Sequence, residues 1–254
     1  MLNKRVIARL DIKMEHLIKG VRMEGWRKIG SPIDFAKSYY DEGADELVLL
    51  DVVASLYNRN NLTEILKDIS SSIHIPITIG GGIRSHHDVE ELLSAGADKV
   101  AINSEATKNP NLLEDLAKTF GSQAIVLSIE SKKINNNLWE PLTDNGREHT
   151  HLDSLKWAMQ AEQLGVGEIF LSSIDQDGTR LGPDIELIQS VSSMLKIPVI
   201  SSSGVGCLED VKDIFTKTEC TATAIGTSLH YKDFSMSELK DYLLTSSIPV
   251  RKSL

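Results

Sequence analysis

Two carboxylates stand at matching places in a sequence that is written twice. Ile7 to Asp11 (IARLD) returns as Val126 to Glu130 (VLSIE), so one apolar run closes on Asp11 and its counterpart on Glu130. An acid at the end of each of two equivalent strands can act as a proton-transfer pair when its surroundings separate the two pKa values. The plainer alternative, that each acid caps a helix or meets a lysine, stays open from spacing alone. Asp51, Asp175 and Asp177 end two further apolar segments, ELVLLD and EIFLSSID, and make the same end of the molecule acidic. A solvated rim would account for those three. Lys19 lies in the long segment after the first run, with Lys13 and Lys132 matched across the repeat. A lysine held over an acidic mouth can clamp a phosphate or carboxylate, although a lone loop lysine is more often simply solvated.

Small residues supply the second signal. Gly80-Gly81-Gly82 follows ITI, Asn103-Ser104 follows KVAI, and the other half carries Ser202-Ser203-Gly204-Val205-Gly206 and Gly226-Thr227-Ser228 in the equivalent places. Residues without bulky side chains let backbone N–H groups approach an anion, and the helix that follows adds a favourable dipole. One such turn would be ordinary tight geometry. A duplicated pair across one mouth implies a ligand with a phosphate at each end. At the opposite ends of the runs stand Arg5, Glu46, Lys99 and Glu168, with Asp98 and Gln123 nearby. Four residues of alternating sign at that face are either structural ion pairs or a gate on a route through the molecule to a partner.

These groups need a scaffold that brings strand ends together. Ile75 to Ser104 is largely repeated from Ile197 to Thr227, each copy reading as strand, small-residue turn, helix and strand. Apolar runs recur at 5–10, 46–50, 76–79, 99–102, 124–129, 168–172, 198–200 and 222–225, with helix-length amphipathic segments between them. That alternation is the pattern of β-α units on a parallel sheet, and eight units close as a (β/α)8 TIM barrel built from two half-barrels. Ser31-Pro32 with Asp34, Ser85 with Asp88, and Asn109-Pro110 mark helix starts, while Gly43, Gly96, Gly121 and Gly165 mark stops. One domain over 1–254 is expected, with halves about 1–120 and 121–254. Two connections exceed what closure needs, 12–31 and 131–152, and both follow strand ends where barrels place chemistry. The second is expected to form a hairpin turning near Asp144-Asn145-Gly146.

Composition narrows the rest. A chain of 254 residues, 41% hydrophobic, is long enough for one large core, and its net charge of −9 excludes a general nucleic-acid or membrane surface. Cys207 and Cys220 lack metal-ligand spacing and read as buried thiols, and the seven histidines show no pairing on one helix face; His86-His87 reads as surface. No metal and no cofactor is expected. The start MLNKRVIARLDIK lacks a signal-peptide core, so a cytoplasmic protein is expected.

RVIARLDIK with Asp11, LIKG with Lys19, DELVLLD, PITIGGGIRS, GADKVAIN, FGSQAIVLSIE, GEIFLSSIDQDGT and the closing SLH together resemble the cyclase subunit of imidazole glycerol phosphate synthase over essentially the whole chain. The sister family, the histidine-pathway sugar isomerase, shares the doubled barrel, but the DELVLLD to GGGIRS register and SIDQDGT fit the cyclase better. The resemblance implies a lyase in histidine biosynthesis that takes ammonia from a glutaminase partner. It would convert a bis-phosphorylated ribulosyl aminoimidazole carboxamide to imidazole glycerol phosphate and aminoimidazole carboxamide ribotide. It further implies Asp11 and Glu130 as acid and base, Lys19 on a closing loop and Asp177 beside the substrate. Gly81, Gly82, Asn103, Ser104, Gly178, Thr179, Ser203, Gly204, Gly226 and Thr227 would hold the phosphates. Arg5, Glu46, Lys99 and Glu168 would form the ammonia gate, with Asp98 and Gln123 at the glutaminase interface.

Four features depart from the family pattern: Glu130 in place of a shorter aspartate, Ser203 in place of a glycine, Arg9 in place of a smaller residue, and the segment Glu24-Gly25-Trp26-Arg27-Lys28. All four touch the substrate end, so two alternatives accompany the main expectation. One is a related barrel that delivers ammonia to form an amidino group on a surface-polysaccharide sugar; the other is a non-catalytic nucleotide-binding barrel that activates a glutaminase.

Overall fold

Eight strands pair in parallel around a closed ring, and every segment between them returns the chain to the same end. The computed structural model describes residues 3–54 and 62–252; the remaining residues of the expected 1–254 domain lie outside the described residues. The barrel strands are β1 (Arg5–Lys13), β4 (Glu46–Asp51), β5 (Ile77–Gly80), β6 (Lys99–Ile102), β7 (Ile125–Asn135), β10 (Glu168–Ser173), β11 (Val199–Ser202) and β12 (Ala222–Ile225). The ring closes through β12 on β1 and β10 on β7.

The repeat reaches down to register. In the first half Ile7 lies against Glu46 and Asp11 against Leu50; in the second Val126 lies against Glu168 and Glu130 against Ser172. Asp11 and Glu130 therefore sit at the same height, because a one-residue slip in either half would turn its acid out of the barrel.

Alternation along the strands separates two cores. Ile7, Val48, Ala101, Val126, Phe170, Ile200, Ala222 and Ala224 fill the barrel axis. Val6, Ala8, Leu10, Leu47 and Leu49 face outward and pack under the helices. Those helices are α1 (Pro32–Asp41), α2 (Leu62–Ser70), α3 (His86–Ser94), α4 (Ser104–Lys108), α5 (Asn111–Phe120), α6 (Ser154–Gln163), α7 (Ile185–Ser192), α8 (Leu208–Lys217), α9 (Thr227–His230) and α10 (Met236–Thr245). Ser31 caps α1 by accepting the Asp34 N–H, and Pro32 opens it. Ser85 with Asp88 starts α3 as a reciprocal box, and Cys207 with Asp210 does the same for α8, its place in the second copy. Cys220 is buried as expected; Cys207, at that cap, is exposed, which corrects its reading as a buried thiol. His86 and His87 are exposed on the first turn of α3.

Both long connections are hairpins. Residues 12–31 form β2 (His16–Val21) and β3 (Glu24–Gly30), with β2 antiparallel to the end of β1. In the second, β7 runs on to Asn135 and pairs with β8 (Leu138–Thr143), so the main turn is at Asn136-Asn137 rather than near Asp144. Asn137 takes the left-handed conformation that such a tight turn requires. Asp144-Asn145-Gly146 makes a further turn into the short β9 (Glu148–His149). The hairpins meet over the mouth. Met23 packs with Leu142 and Ile174, the Asn145 amide donates to the Met23 carbonyl at 3.2 Å, and Trp26 lies between the cations of Lys13 and Arg147.

At the other end the connections approach too closely for a side chain at Gly167, where a Cβ would lie 2.2 Å from the Ser122 carbonyl oxygen. Gly167→Ala is expected to lower stability by about 2–3 kcal/mol, read from the urea midpoint, because backbone must move to admit the methyl.

Candidate functional site

Four inward-facing residues of β1 form a ladder along the axis: Arg5 at the bottom, Ile7 in the apolar layer, then Arg9 and Asp11 at the mouth. Only 4% of Arg9 is exposed, and its guanidinium is gripped from several sides. Nε donates to Asp11 Oδ1 at 2.8 Å, Nη1 lies 3.1 Å from Ser202 Oγ and 3.3 Å from Ser172 Oγ, and Asp177 Oδ1 stands 3.5 Å from Nη1. Beneath it lies the Phe170 ring, 5.8 Å from guanidinium carbon to centroid.

Lys19 reaches in from β2 and completes the cluster, with Nζ 2.6 Å from Asp11 Oδ2 and 3.1 Å from Asp177 Oδ1. Two cations and two carboxylates thus neutralise one another out of contact with water, as buried charges must. Burial alone would raise the Asp11 carboxyl, but the charges of Arg9 and Lys19 outweigh it and hold Asp11 well below the usual carboxylate range. Asp51 and Asp177 are buried, so neither belongs to a solvated acidic rim.

Glu130 is treated differently by its surroundings. The turn after β8 supplies its one hydrogen bond among the described residues, Gly146 N–H to Oε2 at 2.9 Å, and burial pushes its carboxyl up to about 7 against the opposing charge of Arg9. Glu130 keeps a strip of surface on the cavity it lines, so water screens part of that effect. The register-matched acids therefore stand apart: Asp11 fixed as a carboxylate, Glu130 able to hold or release a proton near neutrality.

The two halves of the mouth differ in room. On the first side a cavity of about 180 Å³ is lined by Asp51, Gly81, Gly82, Asn103, Ser104 and Glu130 among others, with Arg9 as its wall. Gly81 and Gly82 have φ of +113° and +71°, which a side-chain-bearing residue adopts only with strain. The Asn103 amide nitrogen donates to the Leu142 carbonyl, while its buried oxygen has no partner among the described residues. Ser104 Oγ is engaged by the Asp144 N–H. On the second side the cavity is about 20 Å³, bounded by Arg9, Lys19, Gly178, Ser203, Gly204, Gly226 and Thr227. Ser203 adopts a φ of +89°, a backbone shape expected of glycine, and its Oγ lies 3.4 Å from Asp177 Oδ1. Thr179 lines neither cavity, since its hydroxyl turns back to the Gln176 carbonyl. Gly178 seats the β2–β3 hairpin: a Cβ there would lie 2.2 Å from the Gly20 carbonyl oxygen.

At the opposite face the four predicted residues form a closed ring. Arg5 bonds Glu46 at 2.7 Å and Glu168 at 2.5 Å, and Lys99 bonds the same two at 3.1 and 2.7 Å. Asp98 and Gln123 are exposed beside it, at the start of β6 and before β7. The ring and the mouth are separated by the apolar axial layer.

Several contributors were not singled out from sequence. Arg84 and Lys108 stand on the first cavity and supply cations there; Arg84 was visible inside GGGIRS. His230 is buried against Tyr39, whose hydroxyl lies 2.6 Å from Nδ1, and burial depresses its imidazole to about 3, so it stays neutral beside Gly226. No group of metal-ligating side chains occurs among the described residues.

A family model described as "Histidine biosynthesis protein" matches residues 5–235. Among curated proteins the chain is similar to "Imidazole glycerol phosphate synthase subunit HisF" of Legionella pneumophila, 60% identical over 210 residues, covering 83% of this chain and 99% of that protein. The subunit of the same name from Prochlorococcus marinus (strain MIT 9312) is 44% identical over 253 residues, 99% of each chain. That from Dehalococcoides mccartyi (strain ATCC BAA-2100 / JCM 16839 / KCTC 5957 / BAV1) is 45% identical over 251 residues, again 99% of each.

Two outcomes follow from this geometry. Between the ordinary glutamate value of 4.5 and about 7, the native state keeps the Glu130 proton while the unfolded chain loses it, so rising pH costs native stability across that window. Glu130→Gln removes the effect and should gain about 1–2 kcal/mol on the native protein between pH 4.5 and 7, in urea unfolding at stepped pH. Gly178→Ala should unseat the β2–β3 hairpin and speed proteolytic cleavage within residues 16–30, followed by mass spectrometry.

Proposed function

As the chain belongs to the family of imidazole glycerol phosphate synthase cyclase subunits, we infer that it is the ammonia-using lyase of histidine biosynthesis and works with a glutaminase subunit. The observation that carries the reading is the pair of register-matched acids, Asp11 and Glu130, held in opposite protonation regimes between two small-residue turns. Joining ammonia to a carbonyl carbon moves one proton from nitrogen to oxygen as the carbinolamine forms, and a second as that oxygen leaves as water and the carbon–nitrogen double bond closes. Glu130, poised near neutrality, is suited to exchange protons with the reacting atoms, and Asp11, ionised, is suited to accept one as its cations withdraw.

The bis-phosphorylated ribulosyl aminoimidazole carboxamide would span the mouth. One phosphate would meet Gly81, Gly82, Asn103 and Ser104, with Arg84 and Lys108 at hand. The other would meet Gly178, Ser203, Gly204, Gly226 and Thr227. Lys19 would hold the hairpin shut over the site, and Asp177 would fix Lys19. Products would be imidazole glycerol phosphate and aminoimidazole carboxamide ribotide. No resident cofactor or metal is invoked.

Ammonia would enter from below. The ring of Arg5, Glu46, Lys99 and Glu168 would be its gate, and Asp98 with Gln123 would touch the glutaminase. No described helix is long and apolar enough to cross a membrane, and a cytoplasmic site of work fits that pathway. The amidino-sugar and non-catalytic readings are not favoured, since the relatives are named for the synthase.

Purified chain, ammonium salt and the bis-phosphorylated substrate should give imidazole glycerol phosphate, followed by loss of substrate absorbance. Asp11→Asn should lower that turnover by ~10²–10⁴, the range for loss of a general base. Absence of product with the native chain would overturn the reading. In the complex, Glu168→Ala should lower glutamine-dependent turnover more than ammonium-dependent turnover, because it opens the ring but leaves the mouth intact.

A further inference from the structure

Among the described residues Arg9 is the one side chain that borders both mouth cavities, and it also rests on the axial apolar layer. Its position joins three features treated separately above. The first is space: the second-side cavity, at about 20 Å³, has room for about one water and none for a phosphate group. The turns that bound it cannot retreat, because Gly204 and Gly206 already lie against the Gly182 and Arg180 carbonyls, where a Cβ would come within 2.2 Å. The movable walls are the long side chains, Arg9 and Lys19 on the buried side and Arg180 on the exposed side.

The second feature is charge. Arg9 and Lys19 share both Asp11 and Asp177, so each carboxylate holds two cations and each cation two carboxylates. A phosphate arriving beside them is a competing anion with more acceptor oxygens, well matched to the planar guanidinium fork. The third is placement: where it now lies, over the Phe170 ring and between Ser172 and Ser202, the guanidinium closes the top of the barrel axis.

We propose that Arg9 is a positioning residue that works as a ligand-driven latch: a phosphate seated at Ser203, Gly204, Gly226 and Thr227 draws its guanidinium off Asp11 and Phe170, so that filling this turn takes one of the two cations off the carboxylate and uncovers the axis together. The proposal rests on the cyclase reading for what travels along the axis, but the movement itself requires only an anion. Nitrogen delivered from below would then find an open route, and an Asp11 held by Lys19 alone, only when an acceptor is in place. Coupling of this kind needs a differential interaction between two states of one element, and the two sets of partners for Arg9 provide it.

The test uses the full chain and inorganic phosphate. In protein carrying 15N-labelled arginine, the Arg9 Nε–H signal is identified by its loss in Arg9→Lys and followed during a phosphate titration. It should shift saturably, with the same half-saturation as the phosphate-dependent rise in Tm. Calorimetry should count two phosphates on the native chain and one on Arg9→Met, with the second site about tenfold weaker or more, and Arg9→Lys should restore part of that loss. An Arg9 signal that stays still while two phosphates bind overturns the proposal, as does Arg9→Met binding two phosphates with native affinity, or a native chain that binds none at the second turn. If Arg9→Met does not fold, the titration of the native chain decides alone. Native turnover with ammonium separates the two readings: turnover with an unmoved Arg9 sinks only the latch, and no turnover sinks the cyclase reading whichever way Arg9 behaves.

Discussion

The mouth of this barrel is organised by one constraint, that two cations and two carboxylates removed from water must satisfy each other completely. Arg9, Lys19, Asp11 and Asp177 come from three separate segments, β1, the hairpin beyond it and the loop after β10. Leaving any one of them unpaired would strand a buried charge, which costs far more than a surface ion pair contributes. The hairpin is therefore seated by electrostatics as well as by Met23 and Trp26. The same cluster keeps Asp11 ionised, while Glu130, outside it, is left to burial.

Duplication supplies the frame and departure from it supplies the asymmetry. Equal register in the two halves places Asp11 and Glu130 at one height and Glu46 and Glu168 at another, which is why one ring of ion pairs closes below and one pair of acids opens above. The mouth is then made unequal by side chains rather than by backbone. Arg9 and Lys19 fill the second side and leave the first roomy, with Arg84 and Lys108 beside it.

Much of this was legible in residue order. The eight strands, the charged ring and the small-residue turns follow from period-two alternation and a repeat, both local signals with a fixed meaning in three dimensions. The hairpin in 131–152 was anticipated but its main turn was placed at Asp144-Asn145-Gly146, because that composition is a stronger turn signal than Asn136-Asn137. Cys207 looked like a buried thiol and proved to be a helix cap, a role that depends on Asp210 three residues on and not on the residue type. Thr179 was grouped with the phosphate residues by motif, yet its hydroxyl is spent inside its own turn. What the order of residues does not contain is competition: that Arg9 and Lys19 would share both aspartates depends on the heights and directions of side chains more than 150 positions apart.

The meeting of the two hairpins carries a kinetic consequence. Met23, Leu142 and Ile174 form a small apolar contact, isolated from the main core, between the segment over one half of the mouth and the segment over the other. So small an apolar contact is easily parted by itself, and the buried ion pairs of Lys19 are the larger part of the hold on the hairpin. Exchange of reactant and product with solvent requires parting this contact together with the Met23–Asn145 hydrogen bond and the Lys19 ion pairs, a lid motion of the kind that can set the ceiling on turnover. Oxidation of the Met23 thioether to its polar sulfoxide would weaken that contact and raise the ceiling at the expense of keeping water out.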